Sequence, residues 1–299
     1  MGKLSDQIVT SAQKRVHNLK PYLSNALARF HWHLSKDPIS DEAARVVREL
    51  REEGIATTSV EKIGLDDAAI QQVYRECEQK ASDPDALQLG SIKESDRLKK
   101  DYFFQLLGTD HIQVAEVGVL TQVVLHPDIL AIANHYLGCY ARLYSYNVWL
   151  NVPTDSPPKH SQLWHRDPGD SKQIKMFFLI SAMTSENGPF SYIPGTQAGG
   201  RRSNLAPPFF KQDIAPRTTD EQMRAVVPET AWKTVVGDPG TIIVADSSGY
   251  HKGGFVRSGR RLMMMAHYTR RVFTYPPNMH FSEGLFGPHS PTAVRWATK

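Results

Sequence analysis

Gly237-Asp238-Pro239-Gly240-Thr241-Ile242-Ile243-Val244-Ala245-Asp246 is the stretch that decides the fold. A tight Gly/Pro turn opens into a short apolar, β-branched strand, and a polar turn then delivers His251. Outward from it, residues 142–152, 174–182, 190–193 and 261–268 are further short runs of the same kind, separated by Pro, Gly and Asn. Short strands joined by turn chemistry predict a jelly-roll sandwich. Helical patterns come earlier. Ser40 reads as an N-cap, residues 43–53 as a helix and Gly54 as its C-cap. Residues 66–81, 96–107 and 126–137 read as further helices. Residues 4–34 carry Leu4, Ile8, Ala12, Val16, Leu19 and Leu23 at helical spacing, with Pro21 dividing them into two helices. The expected class is mainly β with helices (α+β): a double-stranded β-helix (jelly-roll, cupin-like) core with N-terminal helices packed outside it. One domain is expected over residues 1–299: a helical extension at 1–40, helical support at 41–140, the core at 141–275, and a tail at 276–299. Within the core, residues 198–232 form a polar, Pro-containing, lid-like insertion.

His165-Arg166-Asp167 carries the chemistry. Residues i and i+2 of an extended segment project to one side, so His165 and Asp167 can grip one ion. His251, on a distant strand, completes two imidazoles and one carboxylate. This is the ligand set of mononuclear non-haem Fe(II) oxygenases, and it leaves coordination positions open for a co-substrate and O2. The chain has twelve histidines, so the triad is read together with its surroundings. His31-Trp32-His33 is not a second metal pair, because i and i+2 on a helix diverge by about 200°. It reads as packing.

After His251 come Gly253, Gly254 and then Arg260-Arg261, at the start of an apolar run. A guanidinium entering a buried strand needs an anionic partner. Iron(II) with two neutral histidines and one aspartate carries a single positive charge. A 2-oxoglutarate dianion overshoots that charge, and a nearby arginine balances its distal carboxylate. Strand alternation lets only one of Arg260 and Arg261 face such a site.

The chain resembles the phytanoyl-CoA dioxygenase family of Fe(II)/2-oxoglutarate-dependent oxygenases. The resemblance rests on His165-x-Asp167, on the segment from Glu186 to Thr196, on the turn Gly237 to Gly240, and on His251 and Arg261. Gly54-Ile55 with Leu50 before it, and the stretch from His126 to Gly138, add to it. It spans roughly residues 41–275. It implies His165, Asp167 and His251 as iron ligands, Arg261 as the anchor of the 2-oxoglutarate distal carboxylate, and Phe177 as an aromatic beside the co-substrate. It implies a dioxygenase that hydroxylates or otherwise oxidises an unactivated C–H bond of a small organic substrate, with O2 as oxidant and 2-oxoglutarate decarboxylated to succinate and CO2. Biosynthetic tailoring of a small molecule is the expected setting. Two departures bear on the surroundings of the iron: Gln197 follows Thr196 where the family has histidine, and Gly253 stands where it often has a small hydroxyl residue. Asp167 argues against a halogenase, which needs that position empty for chloride.

Composition agrees with a globular enzyme: 299 residues, 40% hydrophobic and 22% charged. A net charge of +4 does not imply a nucleic-acid partner. No apolar run reaches the ~20 residues of a membrane span. The start lacks a secretory signal, and Cys77 and Cys139 are too few for a disulfide framework, so a reducing cytoplasm is expected. Residues 1–36 hold six basic side chains and one acidic one, read as a solvated helix face. Tyr146 on a core strand, and Arg201 and Arg202 in the insertion, are candidate substrate contacts, the arginines for a carboxylate or phosphate. Two rival readings differ in what they need. A cupin-like metal enzyme without 2-oxoglutarate has no use for Arg261. A non-catalytic jelly-roll interaction protein has no use for the triad.

Overall fold

The structure is a computed structural model and describes residues 25–35, 37–90, 102–109, 112–212, 215–275, 277 and 279–299. The helix expected before residue 25, with its break at Pro21, lies outside the described residues; residues 25–34 are helical (α1). Then follow α2 (Asp41–Glu53), β1 (Ile55–Ser59), α3 (Asp67–Ser82), α4 (Pro84–Gly90), β2 (Phe103–Gln105), β3 (Ile112–Val114), α5 (Val119–Val124) and α6 (Pro127–Leu137). The β-rich part begins with β4 (Arg142–Asn151), β5 (Gln173–Leu179) and β6 (Phe190–Tyr192). The insertion holds β7 (Phe210–Gln212), β8 (Ala215–Arg217) and α7 (Asp220–Arg224). Then come β9 (Lys233–Val235), β10 (Thr241–Asp246), β11 (His251–Gly253), β12 (Arg261–Thr269), β13 (Met279–Phe281) and α8 (Thr292–Ala297).

Two antiparallel sheets face each other. The larger runs β1-β10-β5-β12-β4-β2 and the smaller β11-β6-β9. Every residue of β12 is buried, because the strand is covered on both sides. Met263 and Met265 join Phe177, Leu179, Ile243 and Tyr192 between the sheets. Leu262, Met264, Ala266 and Tyr268 face the other way, into the cluster shared with the helices. That double coverage explains why β12 reads as a continuous apolar run.

The helices brace the outer face. Ser40 caps α2 by accepting from Ala43 N–H, and Gly54 closes it in the left-handed region (φ 78°) with its N–H on Leu50 O. A side chain at Gly54 would also collide with the Tyr192 hydroxyl and with Gln197, so both space and backbone demand glycine there. Asp66 and His126 cap α3 and α6. Trp32 is buried in the helical cluster and packs edge-on against His135. Among the described residues, no helix is long and apolar enough to cross a membrane.

Two expectations are corrected. Where a helix was expected over 96–107, the described part holds β2, an edge strand pairing Phe103 with Asn151; pairing with β4 outweighs a weak helical pattern. Alternation over residues 142–152 would turn Tyr144, Tyr146 and Val148 to the jelly-roll interior and Asn147 and Trp149 to the other face; the facing of β4 is the reverse. Trp149, not Tyr146 or Val148, lies between the sheets, opposite Met263 and against Phe177. Tyr146 and Val148 face the helices, and the Tyr146 hydroxyl lies 2.6 Å from Thr121 Oγ1. Tyr144 packs on His267 and Phe273, beside a register shift in β12. Both faces of β4 are covered, so alternation tells which residues share a face and not which face is the interior.

Candidate metal and co-substrate site

His165 and His251 are brought together by backbone pairing. Each donates its N–H to the other's carbonyl, at 3.0 and 2.9 Å, which extends the smaller sheet through β11. Asp167 is fixed two residues on, its N–H on Ser247 O at 2.8 Å and its carbonyl accepting from Gln173 Nε2. Arg166, between the two ligands, points away: it lies over the Tyr250 ring and reaches the carbonyls of Ser248 and Ser203. One ligand atom from each of His165, Asp167 and His251 lies within 4.8 Å of the others.

Hydrogen bonds set the tautomers. His165 Nδ1 lies 2.8 Å from Leu163 O, and His251 Nδ1 lies 3.0 Å from Gly249 O. A carbonyl only accepts, so each Nδ1 carries the proton and each Nε2 offers a lone pair inward. Burial lowers the pKa of both imidazoles; for His165 the neighbouring His251 adds to it, and for His251 Lys175 does. Both are therefore neutral at physiological pH, as metal ligands must be. Burial works against ionisation of Asp167. The Lys175 ammonium outweighs it and holds the carboxyl well below its ordinary range. Lys175 Nζ lies 2.5 Å from Asp167 Oδ2. Two neutral imidazoles and one ionised carboxylate, facing a common point, fit Fe(II).

Arg261 stands at the start of β12 with only 4% of its surface exposed. Its Nε and Nη1 have no hydrogen-bond partner among the described residues. Burial lowers its pKa to about 10, which leaves it a cation at neutral pH. A buried guanidinium of this kind fits a carboxylate that enters the cavity. Arg260 points the other way and pairs with Glu78 at 2.5 Å on the surface. Space beside Arg261 depends on Gly188 (φ 79°): a side chain there would strike the Gly254 backbone and come within 3.0 Å of Arg261 Nη1.

The triad, Phe177 and Arg261 line one cavity of about 330 Å³, at the small end of ligand sites. Its walls include Phe103, Trp149, Phe190 and Met263. Tyr146, Arg201 and Arg202 do not line it. Tyr146 faces the helices, Arg201 pairs with Glu53 at 2.5 Å, and Arg202 donates to Pro194 O. Gln197, in the place of the family's histidine, donates to the last carbonyls of α2 at Arg51 and Glu52. It joins the turn to the helix.

The sequence reading passed over Lys175, Arg217 and His160, which also line the cavity. Lys175 had a signal: a lone cation in an apolar strand, two residues from Phe177 and so on the same face. His160 adopts positive φ (50°), a strained conformation that clusters at functional sites. Arg217 comes from β8 of the insertion, which is ordered rather than a bare loop. Thr218 exchanges two 3.0 Å backbone bonds with Trp164, next to His165. Met223 and Val227 pack on Trp164 and Ile193 in a small core of their own.

A sequence profile of the family Phytanoyl-CoA dioxygenase (PhyH) matches residues 67–263. No curated protein sequence matches the chain. Among solved structures it resembles EctD from S. alaskensis with bound Fe (16% identity, TM-score 0.54, 89% of each chain covered). It also resembles the epimerase SnoN in complex with Fe3+, alpha ketoglutarate and nogalamycin RO (17% identity, TM-score 0.52, 79% of this chain and 87% of that one). The carbocyclase SnoK from nogalamycin biosynthesis is similar too (19% identity, TM-score 0.51, 80% and 87%). At these identities the likeness is one of fold.

Proposed function

The chain belongs to the phytanoyl-CoA dioxygenase family of non-haem iron, 2-oxoglutarate-dependent enzymes, and from that premise we propose that it oxidises an unactivated C–H bond of a small organic substrate, hydroxylation being the default outcome. The observation that carries this reading is the pairing of the His165-Asp167-His251 cluster with the unpartnered guanidinium of Arg261 in one cavity. His165, Asp167 and His251 hold Fe(II) through Nε2, a carboxylate oxygen and Nε2. Arg261 holds the distal carboxylate of 2-oxoglutarate. When bound, iron would activate O2 as the oxidant, with one oxygen atom going to the substrate and the other to 2-oxoglutarate as it is decarboxylated to succinate and CO2.

The chain's own residues supply binding and orientation. Leu163 and Gly249 carbonyls keep the imidazoles in the metal-binding tautomer. Phe177, Trp149 and Met263 line the cavity that Arg261 and the triad share with apolar surface. That surface excludes water and strengthens the Arg261 contact. SnoN and SnoK come from nogalamycin biosynthesis. They support a setting in small-molecule biosynthesis, with a substrate small enough for the cavity.

The test is an anaerobic titration of the metal-free protein with Fe(II) and 2-oxoglutarate, followed by visible absorption. A weak charge-transfer band that needs both additions, and far more 2-oxoglutarate in Arg261→Ala, is the expected result. Confirmed iron binding without the band in the unmutated protein would turn the reading to a cupin-like enzyme that does not use 2-oxoglutarate.

A further inference from the structure

The lining of the cavity has a charge pattern that the iron centre does not require. Asp167 is the one acidic side chain among the lining residues, whereas Lys175, Arg217 and Arg261 are all cationic. With iron(II), Asp167, a 2-oxoglutarate dianion and Arg261 in place, the formal charges already sum to zero. Lys175, beside Asp167, and Arg217 line the same small space with apolar walls.

Their positions are built rather than incidental. Lys175 lies on the inward face of β5, in register with Ala245 of β10 and His267 of β12, and its ammonium reaches the triad at Asp167. Arg217 is delivered by the insertion. The residue after it is clamped by two backbone bonds to Trp164, next to His165, and Arg217 lines the same cavity as His165 and His251. The two cations come from different sheets, Lys175 from the larger one and Arg217 from the β7-β8 pair, and both line one cavity. Cations at two points, with Phe103, Phe190 and Met183 as apolar wall, suit a molecule with an acidic end and a hydrocarbon or aromatic body.

We infer that the substrate is a carboxylic acid, whose carboxylate is received by Arg217 with Lys175 beside it while the apolar body lies against the aromatic wall. This inference rests on the proposed 2-oxoglutarate chemistry. It also moves substrate recognition from Arg201 and Arg202 to the middle of the same insertion. Arg217 is thereby a specificity residue, and the insertion is the part of the chain that selects the substrate.

The experiment starts from the anaerobic protein loaded with Fe(II) and 2-oxoglutarate. Its band is titrated with matched pairs of probes: 3-phenylpropanoate and 4-phenylbutanoate against their primary amides. The acids are expected to shift the band at concentrations about tenfold below the amides, the worth of one well-placed ion pair. Arg217→Gln should bring the acid-to-amide ratio close to one, and Arg217→Lys should keep most of the preference. If the band forms but acids and amides act alike, or neither shifts it, the inference is overturned while the 2-oxoglutarate reading stands. The same holds if the acids erase the band by displacing 2-oxoglutarate, or if Arg217→Gln weakens both members of a pair equally. If no band forms, the reading and the inference fall together.

Discussion

The Lys175 ammonium sits 2.5 Å from Asp167 Oδ2, so the carboxylate assigned to iron is already held by a cation of the chain itself. Both side chains are largely shielded from solvent, at 18% and 17% exposure. Without Lys175, the metal-free protein would keep an ionised carboxylate with no full counter-charge. Lys175→Met should therefore lower the metal-free stability by about 2 kcal/mol, less than for a fully buried pair. Fe(II) supplies the missing charge and should recover most of the loss. Calorimetry of wild type and variant, each with and without Fe(II), checks this; an equal Fe(II)-induced rise in Tm for both proteins would refute it.

Arg261 separates stability from function. Its buried guanidinium stands without hydrogen-bond partners at Nε and Nη1, so it costs desolvation that the metal-free fold does not recover. Arg261→Met should leave the metal-free Tm unchanged or higher. The same change should weaken 2-oxoglutarate binding by about a hundredfold, as expected for losing a paired, charge-assisted contact. Iron content should not change. A variant that lost Tm and 2-oxoglutarate affinity together would mark Arg261 as structural.

His267 makes acid stability testable. Burial first, and then the charge of Lys175, hold its pKa down at about 3, and its Nε2 lies 3.0 Å from Gln173 Oε1. The folded state thus keeps it neutral, while the unfolded imidazole takes a proton near its ordinary pKa of about 6.5. Stability from this group is complete above about pH 6.5 and is lost as the pH falls from there towards the folded value. His267→Gln should flatten the fall of the metal-free urea midpoint between about pH 7 and about pH 4.5. His165 and His251 act in the same direction and leave a residual slope. An unaltered pH dependence in the variant would count against this origin.

Met223 is fully buried in the small core that docks the insertion on Trp164. Met223→Ala should remove about 2 kcal/mol or more of local packing. The opening should be local, because this core is separate from the two larger ones. Hydrogen exchange should accelerate across residues 216–232 and stay unchanged in β5 and β12. Uniform acceleration would show that the insertion and the sandwich unfold as one unit.

Much of this was legible from residue order alone. Ser40 and Gly54 bound α2 as read, and the run from Thr241 became β10. Cap and turn chemistry is local, so it survives without knowledge of the rest of the chain. What depends on the third dimension was not legible. Alternation along β4 is equally strong for Tyr146 and Trp149, and only the sheet opposite decides which is interior. Arg260 and Arg261 posed the same question and were separated by the Glu78 partner, which lies on α3. Arg217 and Lys175 are far apart in sequence and line one cavity because β8 is tied to Trp164 and Lys175 to Asp167.

The reciprocal backbone bonds between His165 and His251 fix how the two segments that carry them align. The spacing of the two imidazoles is set by a β-bridge, and their ring orientation by Leu163 and Gly249. Neither depends on an ion. The imidazoles thus take their aim from one bridge and two carbonyls, so a one-residue slip of that bridge would turn a histidine away from Asp167 without altering any ligand.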